Sequence, residues 1–260
     1  MMQQGAPGNA GLLPARRVIG TAWDVITSRP REALLPVAAV EIPVAVLTAG
    51  VTALALLTAL GDVELGTEDR GYLLLIIVTA AVQALFAQVA HGAAIVSIAG
   101  LLRGERLTLS EALDPPFTRM GGLLAILVIL LAVTAGLALT LIGLVLLPYI
   151  AVRLALTHQA FLLEGRSPFG AFGRSWALMQ GHMLRMLGVM LLTLLIFIGP
   201  ALLIQALDAL VVGPRGAQVA LQAGVSVLQG ILTIPLVAFT SATTTVFYLN
   251  LEGAQPWSKR

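Results

Sequence analysis

The sequence contains no cysteine and very few charged residues. Without cysteine it has no disulfide, no thiol nucleophile and no cysteine-ligated metal or iron–sulfur site. Charged residues make up 11% of the chain and hydrophobic residues 58%, against about 25% charged in a typical soluble domain. The formal net charge of +2 is too small to indicate a nucleic-acid partner. Because a soluble chain of this composition would aggregate, it predicts an integral membrane protein.

The motifs of the common enzyme classes are also missing. The sequence has no Walker loop, no GxSxG, no HExxH and no paired aspartates inside an apolar run. Its histidines, His91, His158 and His182, are dispersed and have no partner at metal-ligand spacing. We therefore expect no enzymatic activity, no metal and no cofactor. An intramembrane enzyme, the least favoured class, would need two titratable groups at hydrogen-bond distance around a cavity.

The chain has instead a series of long apolar runs. Six of them come close to or exceed the roughly 20 residues that a helix needs to cross a bilayer. The predicted fold is all-α: a polytopic bundle of six transmembrane helices with two or three amphipathic helices at the cytoplasmic surface. The predicted spans cover residues 33–60, 72–102, 121–141, 145–163, 186–207 and 219–249.

Prolines and glycines predict irregularities in these spans. Pro36 and Pro43 each remove a backbone hydrogen bond, so the first span should be kinked or broken. Residues 142–144 carry no charge and include a glycine, which predicts a tight apolar hairpin between the third and fourth spans.

Three shorter segments have the pattern of amphipathic helices at a membrane interface. The first covers residues 16–28 and the second residues 103–119. In the second, Thr108 and Glu111 have capping-box spacing, and a break is expected at the Asp-Pro-Pro of residues 114–116.

The third interfacial segment is the most structured polar stretch of the chain. Ser167 followed by Pro168 is typical of an N-cap and first helical residue, and Gly181 is expected to turn the chain into the fifth span. Arg174 and Arg185 should lie at headgroup level, on the side opposite an apolar face. A soluble connector is the alternative, but connectors rarely carry so many large apolar residues in register. That face comprises Phe169, Phe172, Trp176, Met179 and Met183.

Basic residues are distributed unequally between the two sides of the predicted bundle. With the N-terminus inside, 13 of the 15 Lys and Arg residues fall in cytoplasmic segments, and only Arg70 and Arg215 fall outside. In short loops this bias sets the orientation, so we expect both termini in the cytoplasm and the acidic loop at 61–71 outside. The six-helix domain should span residues 16–253, between a disordered tail at 1–15 and a polar tail at 254–260.

A weak internal repeat follows the same organisation. LLRGERLTLSEALDPPFTRMGGLLAIL and LLEGRSPFGAFGRSWALMQGHMLRMLGVML both run from an LLxG helix end through a polar turn and an interfacial helix to a basic residue. AWDVITSRPREALLPVA is a degenerate third copy, so the domain could be three copies of an interfacial helix plus a helical hairpin. Repeats are common in membrane transporters but also arise by duplication without that meaning.

One segment of the chain resembles a known family. VRLALTHQAFLLEGRSPFGAFGRSWALMQGHMLRMLGV is similar to the signature of six-helix bacterial membrane proteins related to the membrane domain of glycerophosphoryl diester phosphodiesterases. The matching positions are Arg153, Glu164, Gly165, Arg174, Ser175 and Trp176. The closing segment VFYLNLEG is also similar, although Asn250 and Glu252 depart from the acidic and basic pair that follows the tyrosine there.

The resemblance carries expectations about fold, location and activity. It extends over about residues 16–253 with diffuse motifs, and it implies a multi-pass protein of the bacterial plasma (inner) membrane. In the enzymes of that family a separate soluble barrel of roughly 250 residues carries out the hydrolysis. The resemblance therefore implies a membrane module without the phosphodiesterase activity.

Polar side chains within the spans are the first candidates for function, because they are costly in a bilayer. Glu41 lies beside the Pro36 and Pro43 positions, where it could stabilise a kink or bind a proton or ligand. The other candidates are Gln83, Gln88, His91 and Gln229. Interhelical hydrogen bonding is the favoured interpretation of this group. A solute path lined by Glu41, Gln83, His91 and Gln229 is the alternative.

The second candidate group is a set of arginines near the cytoplasmic surface. Arg153, Arg174 and Arg185 could bind a lipid headgroup phosphate, because guanidinium groups bind phosphate bidentately. The favoured interpretation of Arg153, however, is pairing within the motif with Glu164, and it could also extend to the surface or reach Glu41; the phosphate site is the alternative.

The favoured hypothesis is a non-enzymatic membrane protein that organises or senses lipid, or anchors partners. The alternative is a transporter or carrier of a lipid or small solute. The expected partners are membrane lipids, with other membrane proteins or a second copy of the chain as further candidates, and no nucleic acid.

Overall fold

The computed structural model describes residues 12–60, 70–209 and 215–254. Over these ranges the chain is all-α, and the described residues form no β-strand. The helices are α1 (Ala15–Ser28), α2 (Pro30–Leu60), α3 (Arg70–Arg103), α4 (Leu109–Thr118), α5 (Met120–Ala138), α6 (Leu141–Leu154), α7 (Thr157–Leu163), α8 (Pro168–Leu178), α9 (Met183–Ala209) and α10 (Arg215–Ala254).

The long helices are long and apolar enough to cross a membrane. In the described part of the chain there are six such segments, which confirms a multi-pass, all-α membrane protein. The segments are Pro30–Leu54, Ile77–Arg103, Met120–Ala138, Leu141–Leu163, Met183–Pro200 and Ala220–Gly253.

The short helices α1, α4 and α8 precede α2, α5 and α9, and all three lie at one end of the bundle. We call this the basic end: α2, α5 and α9 begin there, and α3, α7 and α10 end there. Hydrogen bonds tie these termini together. The Ser97 hydroxyl of α3 donates to the Glu32 carbonyl of α2 at 2.6 Å, and the Leu13 amide donates to the Asn250 side chain of α10 at 2.9 Å.

The order of short and long helices matches the predicted repeat of one interfacial helix followed by a helical hairpin. One short helix precedes a pair of long ones three times along the described chain, and the second pair ends in α6 followed by α7. That the three units are copies of one ancestral unit stays a prediction.

The hydrophobic core is concentrated near the basic end. The opposite halves of the long helices expose their apolar side chains: Leu139 is 86% exposed and Leu141 84% exposed at the turn between α5 and α6. These surfaces suit lipid, which solvates apolar side chains as well as a protein core does. Fully buried core residues include Ile95, Ile98, Leu123, Ile126, Leu156, Leu178, Met179 and Met186.

Helices α2, α3 and α10 make the most extensive contacts in the described structure. Small residues allow α2 and α10 to approach closely, because a Cβ atom added at Gly230 would collide with the Cβ of Ala45. Such small residues at a helix crossing are typical of membrane bundles.

Prolines do not break the helices as the sequence suggested. Helix α2 continues through Pro36 and Pro43, and α4 continues through Pro115 and Pro116, so the predicted break at residues 114–116 is wrong. Tertiary packing supports α4 there. Pro116 is buried against α3 at Gly92, where an added Cβ would lie 2.9 Å from the Pro116 Cβ. The predicted capping box of Thr108 and Glu111 is confirmed.

The hairpin between α5 and α6 turns earlier than predicted. Its turn is at residues 139–140, not 142–144, and Gly143 belongs to the first turn of α6. The reason is a side-chain cap: the Thr140 hydroxyl accepts a hydrogen bond from the Gly143 amide at 2.9 Å and starts the helix there.

Three predicted segments lie wholly or partly outside the described residues. These are the disordered tail at 1–15, the acidic loop at 61–71 and the polar tail at 254–260. Where they are described, two bounds are wrong: Leu13 packs on the core and Ala15 begins α1, and Arg70 and Gly71 belong to α3.

Candidate functional site

The centre of the candidate site is the turn between α7 and α8. Helix α7 ends at Leu163, and Gly165 follows with φ of +69°, a left-handed conformation that favours glycine. Ser167 then caps α8, accepting a hydrogen bond from the Gly170 amide at 3.2 Å, with Pro168 in the first turn as predicted. This turn directs Glu164 into the protein, where its side chain is only 16% exposed.

The Glu164 carboxylate accepts hydrogen bonds from three side chains. One oxygen accepts from Nε of Arg174 at 2.7 Å and from the Tyr248 hydroxyl, while the other accepts from Nε of Arg166. The glutamate thereby joins the α7–α8 turn to the end of α10. The predicted pairing of Arg153 with Glu164 is wrong, because Arg174 and Arg166 occupy the carboxylate.

These contacts determine the charge state of the cluster. Burial alone would raise the pKa of Glu164, but the hydrogen bonds from Tyr248, Arg166 and Arg174 outweigh it and hold that pKa below its usual value. Burial works against the charge of Arg174, yet its bond to Glu164 and the carboxylate charge raise the pKa of the guanidinium. Both groups are therefore ionised at neutral pH.

A third arginine, Arg119, reaches the same turn from the start of α5. It donates from one Nη to the Phe161 carbonyl at 2.6 Å and from the other to the Gly165 carbonyl at 2.9 Å. Its guanidinium also lies over the Phe161 ring, 5.1 Å from the centroid. From the sequence, Arg119 and Arg166 counted only among the basic residues that set the orientation of the spans. The signal for the site in the sequence was the LLEG turn, because basic residues follow it closely in the interfacial helix segment.

Arg153 has a different environment. Its guanidinium lies 4.8 Å from the Trp176 ring centroid and 5.3 Å from that of Tyr149. It donates to the Trp176 carbonyl and to the Tyr149 hydroxyl, each at 3.2 Å. The aromatic rings and the backbone therefore hold this arginine at the end of α6, away from both Glu164 and Glu41.

Ser175 stabilises an interruption of the fourth span. Helix α6 ends at Leu154 and α7 begins at Thr157, so the regular helical hydrogen bonding is interrupted between them and leaves the Leu156 amide and the Arg153 carbonyl to other partners. The buried Ser175 hydroxyl accepts from the Leu156 amide at 3.1 Å and donates to the Arg153 carbonyl at 2.8 Å. Ser175 thus connects α8 to the break. The sequence did not predict the interruption.

The predicted apolar face of α8 is exposed at Phe169 and Trp176, as a membrane-facing side requires, whereas Met179 of that face is fully buried. Small residues, Ala171 and Ser175, pack inward together with Leu178, whereas Phe169 is 78% exposed and Trp176 is 37% exposed. Small side chains let α8 approach α7 closely, and the larger aromatic rings then point outward. The predicted turn at Gly181 is confirmed, with φ of +79° between α8 and α9.

Arg185 lies in the first turn of α9 and is partly buried. Burial, with the nearby charge of Arg185, lowers the pKa of His182 at the same turn.

The polar residues of the spans form links between helices. Nε2 of Gln83 in α3 donates to the Thr48 hydroxyl of α2 at 2.7 Å. Nearer the basic end, the Gln88 side chain hydrogen-bonds Nε2 of His158 at 2.6 Å, and Nδ1 of His91 hydrogen-bonds the Ser241 hydroxyl at 2.8 Å.

The two imidazole rings of His91 and His158 meet edge to face, 5.2 Å apart. This cluster joins α3, α7 and α10. The sequence did not predict the pairing, since nothing in the spacing relates the two histidines. Next to them, Nε2 of Gln159 donates to the Thr244 hydroxyl at 2.7 Å.

Two residues of the hypothetical solute path, Gln83 and His91, bond to different helices. Gln83 is joined to α2 and His91 to α10, while Gln229 is partly buried in α10, where its backbone carbonyl accepts from the Thr233 hydroxyl at 2.8 Å. Glu41 is partly exposed in α2 and, within the described ranges, has no hydrogen bond or ion pair. No group of three or more metal-ligating side chains occurs among the described residues.

Comparisons of the chain with protein-family models, with curated proteins and with solved structures find no match. The resemblance to the glycerophosphodiesterase membrane domain therefore stays a prediction that rests on the residues quoted above.

Proposed function

We propose that the chain is a non-enzymatic membrane protein that organises lipid headgroups, or anchors partners, at the cytoplasmic surface of a bacterial plasma membrane. The observation that carries the proposal is the position of α1, α4 and α8. All three short helices lie at the basic end, where the bundle has its core and most of its arginines. We further propose that it belongs with the membrane modules related to glycerophosphodiesterases, with both termini in the cytoplasm.

Exposed aromatic residues support contact between the short helices and the membrane. Trp23 in α1 is 57% exposed, Phe117 in α4 is 42% exposed and Phe169 in α8 is 78% exposed. Aromatic side chains beside arginines are typical of helices that lie at the headgroup level. The basic residues would attract anionic lipids, each contributing about 1 kcal/mol near a negatively charged surface.

Lipid selectivity tests this proposal. The protein would be reconstituted with spin-labelled phosphatidylglycerol or phosphatidylcholine, and the motionally restricted fraction measured by electron spin resonance. We expect a larger restricted fraction for phosphatidylglycerol. The double variant Arg16→Gln/Arg17→Gln, at exposed positions in α1, should reduce the preference. The control Arg70→Gln, at the opposite end, should not. Equal restriction of both lipids would contradict the proposal.

A carrier of a lipid or small solute is the second candidate. Glu41 favours it, because a carboxyl group in a span without a described partner is costly unless it binds something. The test is a lipid-scrambling assay in vesicles with nitrobenzoxadiazole-labelled lipid and dithionite. Movement that Glu41→Gln abolishes would support the carrier, and no movement above protein-free vesicles would eliminate lipid carriage.

A further inference from the structure

We propose that Arg119, Arg166 and Arg174 form a binding site for a phosphate group, supplied by the headgroup of an anionic phospholipid. The inference deepens the function proposed above, and it rests on that proposal only for the membrane as the source of the phosphate. It replaces Arg153 and Arg185 of the sequence-based site with Arg119 and Arg166.

The arginines converge on one short turn. Arg166 and Arg174 reach opposite oxygens of Glu164, while Arg119 reaches the carbonyl of Gly165. Arg153 does not share this turn, because its guanidinium lies between the rings of Tyr149 and Trp176. The turn thus brings three guanidinium groups together from α5, the α7–α8 connection and α8.

The positive charge of this cluster exceeds its negative charge. Two guanidinium groups bind the Glu164 carboxylate and Arg119 bonds to uncharged carbonyls, while Glu252, close enough to act on Tyr248, is the second acidic group near the turn. In the described part of the chain, the salt bridges of the cluster are those of Glu164 with Arg166 and Arg174. A surplus of positive charge in a partly buried place favours a bound anion.

Donor groups remain for such an anion. Arg166 and Arg174 both use Nε to reach Glu164, so the carboxylate does not occupy their Nη groups. Their side chains are 36% and 24% exposed, which leaves them accessible from outside. Guanidinium Nη groups in a fixed orientation match phosphate oxygens, with which they form charge-assisted hydrogen bonds.

Two neighbouring features support the site: the first favours any bound phosphate, and the second favours a lipid over a free anion. The N-terminus of α8, at Ser167 and Pro168, follows Arg166 directly and adds partial positive charge. In the same first turn, Phe169 is 78% exposed. An exposed aromatic ring beside a phosphate site is suited to the apolar part of a lipid just below its headgroup.

The test is native mass spectrometry of the full chain in mild detergent, titrated with phosphatidic acid, phosphatidylglycerol and phosphatidylcholine. We expect the wild type to retain the anionic lipids more tightly. The variant Arg166→Gln should weaken that binding at least about tenfold, since it removes a charge-assisted contact. The matched control Arg106→Gln, exposed at the same end but outside the cluster, should bind like wild type. Equal losses in both variants would overturn the site.

A second variant separates binding from folding. Glu164→Gln removes a negative charge that repels a bound phosphate, while the amide oxygen can still accept from Arg174 and Tyr248, so it should tighten anionic-lipid binding, which a folding defect cannot do. Weaker or unchanged binding in Glu164→Gln would contradict the site. This arm decides the outcome if Arg166→Gln does not fold.

Competition with inorganic phosphate and glycerol 3-phosphate identifies the source of the phosphate. Lipid that resists millimolar competitor supports the lipid site, and complete displacement shows that the site takes a free phosphate instead, which overturns the lipid assignment. The test of this site can succeed even if the proposed function is wrong. Site-specific retention in detergent without lipid selectivity in bilayers would keep this inference and eliminate the general role in lipid organisation.

Discussion

The hydroxyl of Tyr248, near the end of α10, donates a hydrogen bond to the carboxylate of Glu164, which follows α7 and lies 84 residues earlier in the chain. The contact closes the bundle at its basic end, because it joins the last span to the turn that starts α8. It also brings together the two segments that carry the family resemblance. A tyrosine and a glutamate that are distant in sequence thereby hold one site.

Removing this hydroxyl should destabilise the protein. Tyr248→Phe keeps the buried ring and leaves Glu164 with its two arginines, so we expect a loss of about 1.5–3 kcal/mol, the usual contribution of a hydrogen bond to a charged group. Thermal unfolding in detergent would measure it. The control Tyr149→Phe, at a half-exposed hydroxyl 3.2 Å from Nε of Arg153, should cost much less. Equal effects would show that the Tyr248 bond has no special role.

Ser175→Ala should lower the stability of the protein, although the substitution removes only one hydroxyl group. It leaves the Leu156 amide and the Arg153 carbonyl without their side-chain partner at the break between α6 and α7. Unpaired buried backbone groups cost about 1–3 kcal/mol. Ser226→Ala is the matched control, because that hydroxyl donates only to the Gln222 carbonyl of its own helix. Stability of Ser175→Ala within error of wild type would contradict the bridging role.

A pair of glycine substitutions in α10 tests the close packing against α2. Gly230→Ala places a Cβ against Ala45 and should cost about 1–3 kcal/mol, as overpacking generally does. Gly224→Ala meets nothing within 4 Å on the same helix, so it should be neutral or slightly stabilising. The unfolding temperatures of the two variants give the comparison. A neutral Gly230→Ala would mean that the two helices are further apart.

The stability of the basic end should depend on pH through Glu164. Its pKa in the folded protein lies below its usual value of 4.5, so the carboxylate contributes stability that is fully present above pH 4.5. That contribution is lost as the pH falls through the lowered pKa. Unfolding temperatures measured from neutral pH down to pH 3.5 should therefore drop more for wild type than for Glu164→Gln. Parallel curves would show that Glu164 is not ionised in the cluster.

The local features were predictable from the sequence, and the long-range pairs were not. Apolar length gave the six spans, and short-range capping chemistry gave the starts of α4 at Thr108 and of α8 at Ser167. Gly181 was recognisable because the left-handed conformation strongly favours glycine. These signals act over a few residues, so they do not depend on how the helices pack.

The composition of the site depended on packing between distant segments. Arg153 was assigned to Glu164 by nearness in sequence, but two aromatic rings hold it, and Tyr248 reaches the glutamate from α10. The meeting of His91 with His158 has the same origin, since it requires α3 and α7 to lie side by side. The helix break predicted at residues 114–116 was wrong for a related reason. Packing against Gly92 of α3, which the local sequence does not show, supports Pro116 within a helix.

The orientation of the bundle is the claim on which the functional account depends, and cysteine labelling tests it most directly. The chain has no native cysteine, so single variants can be labelled without background. Glu105→Cys lies exposed at the basic end, and Leu139→Cys lies exposed at the turn between α5 and α6. With a membrane-impermeant maleimide on intact cells, we predict that Leu139→Cys is labelled and that Glu105→Cys is labelled only after permeabilisation. The reverse pattern would place the arginine cluster on the outer surface and contradict the account.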